Sequence, residues 1–342
     1  MSSNGFPLIS VIILNWNGRP FLEKCIQSVL KQTYPNLEII VVDNASTDDS
    51  LKWLSSFSDR IKVISNSKNL GYGGGNNQGI KESKGNYLLI LNNDTELEKE
   101  CIEKLWRAMQ KDPRMGVTTP KILLSHKRNL IDAAGLTIYW DGLSIGRGHL
   151  ESEEAYSIDE EVFFGSGCAS LFKKEMLEDI GLFDEDFFAY ADDTDLGWRA
   201  RQAGWKSLFV SKALVFHNHS GKFGNLLPYK AFLLERNRIW VALKNFSLPL
   251  LILLPFSSLI RYLYQALALI FRKKSSFSVS SGLSIHSIIF ILVKAYLSAF
   301  WGLPKTLKKR KEIKKIRKIS NKEYFTFFKR FGISAKEIAF KS

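Results

Sequence analysis

Residues 8–43 read LISVIILNWNGRPFLEKCIQSVLKQTYPNLEIIVVD, and this stretch decides the fold of the 342-residue chain. Its first residues, 8–14, are almost all apolar and rich in β-branched side chains, which is typical of a strand buried on both faces of a parallel sheet. Apolar residues then recur at helical spacing after Pro20, a residue well suited to open a helix. The run EIIVVD at 38–43 predicts the next strand. The stretch therefore predicts a strand, a helix and a second strand.

The same alternation continues as far as residue 110. Further strands are predicted at 61–65 and 87–92, and further helices at about 48–57, 74–82 and 98–110. This spacing favours right-handed crossovers and an α/β fold, a Rossmann-like and mostly parallel sheet flanked by helices. After a less regular stretch, residues 165–172 predict a turn into another strand, residues 207–216 a further strand, and the residues after Pro228 a helix.

Each of these early strands is followed by polar residues. The four polar segments are NWNG at 15–18, DNASTDDS at 43–50, NLGYGGGNNQG at 69–79 and NNDT at 92–95. Ligands of doubly wound sheets bind beyond the carboxyl ends of the strands, so we expect the four segments to build one pocket. The third segment predicts a glycine-rich loop that lets the backbone approach a phosphate, and its asparagines suit a sugar or a diphosphate.

Asp94 is the candidate metal ligand. It leaves a strand beside Asn92 and Asn93, and oxygen ligands of this kind suit Mg²⁺ or Mn²⁺ together with substrate phosphates. His217 is a candidate nitrogen ligand, and we favour it over His219 because it follows an apolar strand directly. An aspartate at a strand end is also a common turn residue, and a lone histidine is usually structural, so these alternatives stay open.

A cluster of acids lies in residues 183–204, FDEDFFAYADDTDLGWRARQAG. Six carboxylates fall within twelve positions there, beside aromatic rings. Like charges and dehydration raise carboxyl pKa values, so the cluster predicts a general base, with Asp192 and Asp193 as candidates. The same residues start a predicted helix, where aspartates cap the helix and interact with its dipole. That structural role is the expected one for Asp195.

The charge of the chain is uneven. Residues 1–220 hold 24 Lys and Arg against 30 Asp and Glu, whereas residues 221–342 hold 24 against 4, so −6 and +20 sum to the net charge of +14. A basic C-terminal part predicts a negatively charged partner, either nucleic acid or an anionic membrane surface.

Three scattered cysteines predict neither disulfides nor a thiolate metal site. The N-terminus lacks the layout of a signal peptide, so we expect a cytosolic location.

The C-terminal part contains apolar segments between basic ones. Residues 248–271 are long enough to span a bilayer, but Pro255 interrupts the run and predicts a break. Ser257, Ser258, Arg261 and Gln265 then share one helical stripe opposite the apolar residues, which indicates a helix lying in the membrane interface. Basic residues at 272–274 and 305–318 flank the apolar segments. Helices packed on the sheet domain, or on a second copy of the chain as a homodimer, are the alternative.

The segments VIILNWNG, VVDNASTDDS, NLGYGGGNNQG, LLILNNDTEL and FDEDFFAYADDTDLGWRARQAG occur in that order. This succession resembles family 2 glycosyltransferases, the inverting enzymes with the GT-A fold, and especially the subgroup that contains bacterial rhamnosyltransferases. The resemblance covers about residues 8–245. It implies a GT-A domain at 1–245, which leaves 246–342 as a basic, amphipathic helical tail that associates with membranes.

The resemblance also implies roles for single residues. Asp193 is the catalytic base of an [ED]D motif, and Asp94 with His217 holds Mg²⁺ or Mn²⁺. The implied nucleotide-sugar contacts are Asn15, Asp43, Asn44, Asn69, Gly71, Asn77 and Asn92. Two departures matter: residues 92–94 hold a single carboxylate, which weakens the metal prediction, and the acid pair is Asp192–Asp193, which makes Asp192 a substitute base.

The implied function is inverting transfer of a hexose, with L-rhamnose as the sugar that the subgroup suggests, from a dTDP- or UDP-sugar. The acceptor is a hydroxyl of a lipid-linked molecule or a polysaccharide in cell-surface glycan synthesis. The implied location is the cytoplasmic side of the cell membrane, peripheral or monotopic. The alternative function is a non-catalytic nucleotide-sugar-binding scaffold at the membrane. A nucleic-acid binder is disfavoured because the basic stretches alternate with apolar helices and contain no stacking platform.

Overall fold

The computed structural model describes residues 5–57, 59–219, 227–271 and 284–340. The strands are β1 (Ile9–Asn15), β2 (Leu37–Asp43), β3 (Lys62–Ser65), β4 (Tyr87–Asn92), β5 (Thr95–Leu97), β6 (Met115–Leu124), β7 (Lys127–Ala133), β8 (Leu136–Ile138), β9 (Ser144–Gly146), β10 (Glu160–Glu161), β11 (Ala169–Lys173) and β12 (Lys206–His217). The helices are α1 (Arg19–Leu30), α2 (Ser50–Leu54), α3 (Gly71–Glu82), α4 (Cys101–Met109), α5 (Lys174–Ile180), α6 (Asp192–Gln202), α7 (Leu227–Asn245), α8 (Leu248–Ile270), α9 (Ile285–Trp301), α10 (Leu303–Ile316), α11 (Asn321–Phe331) and α12 (Ala335–Phe340).

The chain folds into two compact units. The first comprises residues 1–136 and 146–219, and the second comprises residues 137–145 and 220–342. This boundary differs from the predicted one after residue 245, because α7 packs against α9 and α10 and so belongs to the second unit. The assignment of a catalytic role to 1–245 and of membrane association to 246–342 stays a prediction.

The first unit is built on one sheet with the order β10-β12-β6-β11-β4-β1-β2-β3, to which β5 adds beside β12 and β7 beside β6. β4, β1, β2 and β3 run parallel, as do β6 and β12, while β11 lies antiparallel between β4 and β6. The main apolar core lies against this sheet and includes residues of α1 and α4. The predicted α/β sheet flanked by helices is therefore confirmed.

The helix predicted at about 74–82 is present but begins at Gly71, so the glycines at 71–79 belong to that helix and do not form the expected loop. α3 begins at Gly71 and packs on β1. A Cβ atom on Gly75 would lie 2.3 Å from Leu14 Cδ1, and one on Gly79 would lie 2.5 Å from Ile12 Cγ2. These glycines allow the helix to approach the strand more closely than any larger residue would permit.

In the second unit, α8 continues through Pro255, so the predicted break is also wrong. Ser257, Ser258 and Arg261, in the half that follows the proline, are buried, and tertiary contacts of this kind override the local cost of a proline. Among the described residues, α8 is the one helix long and apolar enough to cross a membrane by itself. α9 and α10 would qualify only as a pair bent by 60°. The predicted basic residues at 272–274 lie outside the described residues.

Candidate active site

The carboxyl ends of β1, β2 and β4 meet at one edge of the sheet. Asn15 and Asp43 are in register, and Asn15 Nδ2 donates a hydrogen bond to Asp43 Oδ2 at 2.9 Å. Asn15 Oδ1 accepts from Asn93 Nδ2 at 2.7 Å. Asn92, the last residue of β4, is half-buried beside them. The predicted polar strand ends are thus joined by hydrogen bonds.

Asn44 connects this edge to the start of α3. Its Nδ2 donates to Asn69 Oδ1 at 2.9 Å and to the Gly71 carbonyl at 3.0 Å, while its Oδ1 accepts from the Leu70 N–H at 3.0 Å. Gly71 has φ +75°, and a Cβ atom there would lie 2.1 Å from the Phe188 carbonyl oxygen. Only glycine fits this position without strain, so Asn44, Asn69 and Gly71 together set the shape of the turn.

Asn77 binds the acidic segment and holds it against α3. Its Nδ2 donates to the Phe183 carbonyl at 2.9 Å and to Glu185 Oε1 at 3.0 Å, and its Oδ1 accepts from the Phe183 N–H at 3.1 Å. The side chain is 3 % exposed. The structure therefore gives Asn77 a positioning role for the acids that follow Phe183.

Asp192 and Asp193 open α6 after a strained turn. Phe188, Tyr190 and Ala191 all have positive φ angles, between 64° and 67°, a conformation that costs energy for residues other than glycine. Asp193 accepts hydrogen bonds from the Gly167 N–H at 3.1 Å and the Thr194 N–H at 2.8 Å. The turn thus presents the two acids at the N-terminus of the helix.

The two acids differ in exposure and in the groups that shift their pKa. Burial raises the pKa of Asp192 well above its usual range, and the neighbouring Asp193 raises it further. Burial also raises the pKa of Asp193, although hydrogen bonds from Gly167 and Thr194 oppose the rise. Asp192 is 2 % exposed and its Oδ1 has no hydrogen-bond partner among the described residues, whereas Asp193 is half-buried. Asp193 is therefore the acid that can both ionise and reach a substrate.

Asp195 has a structural role, but it forms an ion pair where we expected a helix cap. It is fully buried and pairs with Arg199, whose Nε lies 3.0 Å from Asp195 Oδ2. The guanidinium of Arg199 also donates to the carbonyls of Ile180, Gly181 and Leu182 at 2.8–2.9 Å. This ion pair fixes α6 to the segment that precedes the acids.

Asp94 and His217 lie together at the sheet edge, and Asp132 joins them. His217 Nε2 is 3.2 Å from Asp94 Oδ1, and His217 Nδ1 is 2.8 Å from Asp132 Oδ2. His219 Nε2 lies 2.7 Å from Asp132 Oδ1, and His149 Nδ1 lies 3.4 Å from the same oxygen. We call these five residues the Asp–His cluster.

In the Asp–His cluster, Asp132 and His217 shift each other's pKa towards the charged form. Burial by itself would raise the pKa of Asp132, but hydrogen bonds from His149, His217 and His219 hold it well below its usual range. Burial lowers the pKa of His217, but Cys168, Asp132 and Asp94 outweigh burial and raise it well above its usual range. Two carboxylates with imidazole nitrogens fit a divalent cation such as Mg²⁺ or Mn²⁺. The ligands would be Asp94 with His217, or Asp132 with His217 and His219, whose ligand atoms lie within 4.8 Å of one another.

Residues 167–168 link the acid pair to the Asp–His cluster. The Gly167 N–H donates to Asp193, and the Tyr72 hydroxyl donates to the Gly167 carbonyl at 2.6 Å. The carbonyl of the next residue, Cys168, accepts from the Asn92 N–H at 2.9 Å, and its buried thiol interacts electrostatically with His217. Residues 167–168 therefore lie between the two predicted centres.

A family model for glycosyl transferase family 2 matches residues 10–181, which is half of the chain. The chain belongs to glycosyl transferase family 2.

Curated relatives are consistent with this family. Glycosyltransferase GlyG of Streptococcus pneumoniae is 36 % identical over 106 residues, which covers 30 % of this chain and 35 % of the relative. The poly-β-1,6-N-acetyl-D-glucosamine synthase of Staphylococcus epidermidis is 22 % identical over 210 residues, which covers 61 % of this chain and 49 % of the relative. The chain spans between 25 % and 58 % of the length of the first curated relatives it matches.

Solved glycosyltransferases have the same fold. The mannosyltransferase PcManGT from Pyrobaculum calidifontis, in complex with GDP-Man and Mn²⁺, has a TM-score of 0.54 at 16 % identity, covering 91 % of this chain and 86 % of that one. GalNAc-T7 with UDP, GalNAc and Mn²⁺ has a TM-score of 0.56 at 19 % identity, covering 70 % and 48 %. Staphylococcus aureus TarS has a TM-score of 0.53 at 17 % identity, covering 96 % and 55 %. The predicted GT-A fold is therefore confirmed.

Sequence reasoning missed Asp132, His149, Gly167 and Tyr72 in this family 2 site. Asp132 and His149 lie in the stretch where the strand pattern is irregular, and no motif marks them. Gly167 and Tyr72 contribute a backbone N–H and a hydroxyl, which single-residue patterns do not reveal. The apolar run before Asp132, at the end of β7, was the one available signal.

Proposed function

We propose that this family 2 protein transfers a sugar, with inversion, from a dTDP- or UDP-sugar to a hydroxyl of a lipid-linked or polysaccharide acceptor. The polysaccharide synthase among its relatives supports a role in cell-surface glycan synthesis. L-rhamnose is the sugar that we propose from the resemblance to rhamnosyltransferases. The proposed location is the cytoplasmic side of the cell membrane.

One observation carries the proposal: two consecutive residues contact both predicted centres, Gly167 through a hydrogen bond to Asp193 and Cys168 through the electrostatic interaction of its buried thiol with His217. A transferase needs a base for the attacking hydroxyl and positive charge for the departing diphosphate, and it needs both at one bond. The link joins an ionisable, half-buried acid to a set of cation ligands over two residues. A binding protein has no need for this pairing.

In the proposed reaction, Asp193 accepts the proton of the acceptor hydroxyl while that oxygen bonds to the anomeric carbon. The bond between this carbon and the diphosphate oxygen breaks on the opposite face, so one displacement inverts the configuration. The Gly167 and Thr194 N–H groups hold the Asp193 carboxylate in position. Burial raises the pKa of Asp192 well above its usual range, which favours its neutral form beside the base.

Asp94 and His217 are the residues that would hold Mg²⁺ or Mn²⁺ in this proposal. Such an ion, when bound, offsets the charge that grows on the departing nucleoside diphosphate. The nucleotide would lie along the edge formed by Asn15, Asp43 and Asn44. GDP-Man and UDP are bound together with Mn²⁺ in two proteins of the same fold, which supports this arrangement.

The test is a transfer assay with the purified protein, Mn²⁺, a panel of dTDP- and UDP-sugars and a lipid-linked acceptor. We expect one donor to be consumed and NMR of the product to show the anomeric configuration opposite to that of the donor. Product with retained configuration would refute the inverting mechanism.

A non-catalytic scaffold is the second candidate, and the single carboxylate in Asn92-Asn93-Asp94 favours it. Donor binding without turnover of any acceptor would establish that role.

A further inference from the structure

The helices α8 and α9 of the second unit turn their apolar side chains outward. Ile252, Phe256 and Leu263 on α8 are 70 %, 63 % and 56 % exposed, and Phe290 and Trp301 on α9 are 68 % and 78 % exposed. Water does not favour so many exposed large apolar side chains, and large exposed apolar patches mark interaction sites.

Helix α8 turns its polar side chains inward. Arg261, on α8, is 2 % exposed; its Nε donates to Asp141 Oδ2 at 2.7 Å, and its two Nη atoms donate to the carboxylate of Glu235 at 3.0 and 3.1 Å. Buried Ser258 on α8 accepts from Arg238 Nη1 at 3.1 Å. The polar stripe predicted for α8 therefore faces the protein.

Arg238, on α7, extends this buried network to α9. Its Nε donates to Glu235 Oε2 at 2.6 Å, and its Nη2 donates to the hydroxyls of Tyr262 and Tyr296 at 2.6 and 3.1 Å. A buried charge left without its partner is costly, so these contacts oppose any rotation of α8 or α9 that would bring the apolar faces inside. The network thus fixes the outward orientation of the apolar side chains.

A basic helix follows in the same unit. Lys305, Lys308, Lys311 and Lys314 of α10 are exposed, and residues 221–342 carry a net charge of +20. This charge disfavours a second copy of the chain as the partner, since two such surfaces repel each other. Anionic lipid supplies both an apolar interior for α8 and α9 and a negative surface for α10.

We propose that α8 and α9 lie in the plane of an anionic lipid bilayer, with their apolar faces inserted and without spanning it. A spanning α8 would carry Arg261 near its middle into the hydrocarbon, together with Asp141 and Glu235, the carboxylates to which it is bonded. The in-plane arrangement keeps this network inside the protein. The inference concerns the second unit and goes beyond the proposed sugar transfer.

The first test is flotation of the full-length protein with vesicles of phosphatidylcholine alone or mixed with phosphatidylglycerol. We expect flotation with the anionic vesicles and at least ten-fold weaker binding to the zwitterionic ones. The double variant Phe256→Asp/Phe290→Asp should bind anionic vesicles at least ten-fold more weakly, because each inserted phenylalanine contributes a large apolar area. Flotation that does not depend on the two phenylalanines would overturn the proposal.

Ile158→Asp is the matched control, since Ile158 is 74 % exposed but lies in the first unit. It should float like the wild type. Thermal unfolding of each variant shows whether the fold is intact, and binding of the donor nucleotide in detergent separates a failure of this proposal from a failure of the proposed function. Sedimentation that reveals a dimer abolished by the double variant, with no binding to vesicles, would assign the surface to self-association instead.

The second test distinguishes insertion from spanning. Leu248→Cys and Phe271→Cys place exposed thiols at the two ends of α8, while the native cysteines at 25, 101 and 168 are buried. A membrane-impermeant maleimide should label both positions from the same side of the membrane in inverted vesicles. Labelling from opposite sides would show a spanning helix and refute the in-plane arrangement.

Discussion

Asp192 and Asp193 before α6 carry the same chemical group as Asp132 on β7, but their surroundings act in opposite directions. Burial raises the pKa of both acids of the pair, and Asp193 accepts hydrogen bonds from the N–H groups of Gly167 and Thr194 and from the Thr194 hydroxyl. Three histidines lower the pKa of Asp132. When the surroundings raise the pKa of one carboxyl group and lower that of another, the first group suits acid–base catalysis and the second suits holding a negative charge. The comparison therefore supports our proposal of proton transfer at the acid pair and cation binding at the Asp–His cluster.

The largest effect is expected for Asp193→Asn. The amide cannot accept the proton of the acceptor hydroxyl, and loss of a general base lowers kcat by about 10²–10⁴-fold. The measurement is the rate of sugar transfer at saturating donor, with donor binding followed by calorimetry, which should change little. Asp192→Asn makes the same chemical change one residue away and should retain most of the activity. A larger loss of activity in Asp192→Asn than in Asp193→Asn would assign the base to Asp192.

Asp94→Asn should rank next, because it removes a carboxylate from the proposed cation site. We expect roughly a hundred-fold loss of transfer, comparable to the effect of EDTA on the wild type, and only weak recovery with added Mn²⁺. Glu96→Gln, on the exposed side of the same segment, serves as the control. Full activity of the wild type in EDTA would contradict a metal-dependent reaction.

Asp132→Asn tests the other half of the comparison. An outer carboxylate that orients a metal-binding histidine typically contributes about 10–100-fold to metal affinity. We expect a loss of that size in Mn²⁺ binding, measured by electron paramagnetic resonance without any substrate. His217→Gln should weaken binding similarly, whereas His219→Gln should have little effect if Asp94 and His217 are the ligands. Equal losses in both histidine variants would place the cation at Asp132, His217 and His219.

The smallest effect is expected in the stability of Asp192→Asn. Because the folded protein raises the pKa of Asp192, its contribution to stability is full below the ordinary pKa of about 3.8 and is lost as the pH rises through the raised value. The variant buries no carboxylate, so its Tm at neutral pH should exceed that of the wild type by about 2–4 °C. The Tm of the variant should also vary less between pH 4 and 8. A lower Tm throughout would show that the Asp192 carboxyl makes a stabilising contact.

The first half of the fold could be predicted because its signals are local. β1, β2 and β4 are short apolar runs and α1 has an apolar stripe, so each element is visible within a few residues. Asp193 and Asp94 could be picked out from the sequence for the same reason, because they lie in conspicuous polar segments. The roles of Asp132 and of the glycines of α3 could not be predicted from the sequence, because they depend on partners distant in the chain. These partners are His217 and His219 for Asp132, and β1 for the glycines.

By itself, the sequence determined the alternation of strands and helices, the polar strand ends, the acid pair and the amphipathic character of α8. Each of these follows from the spacing of apolar and polar residues, which the backbone geometry converts directly into faces and ends. Only the tertiary structure decided which face of α8 is turned inward and which side chains surround each carboxylate. Those outcomes depend on the energies of burial and pairing between residues that are a hundred or more positions apart, such as Asp141 and Arg261, and no local pattern records them.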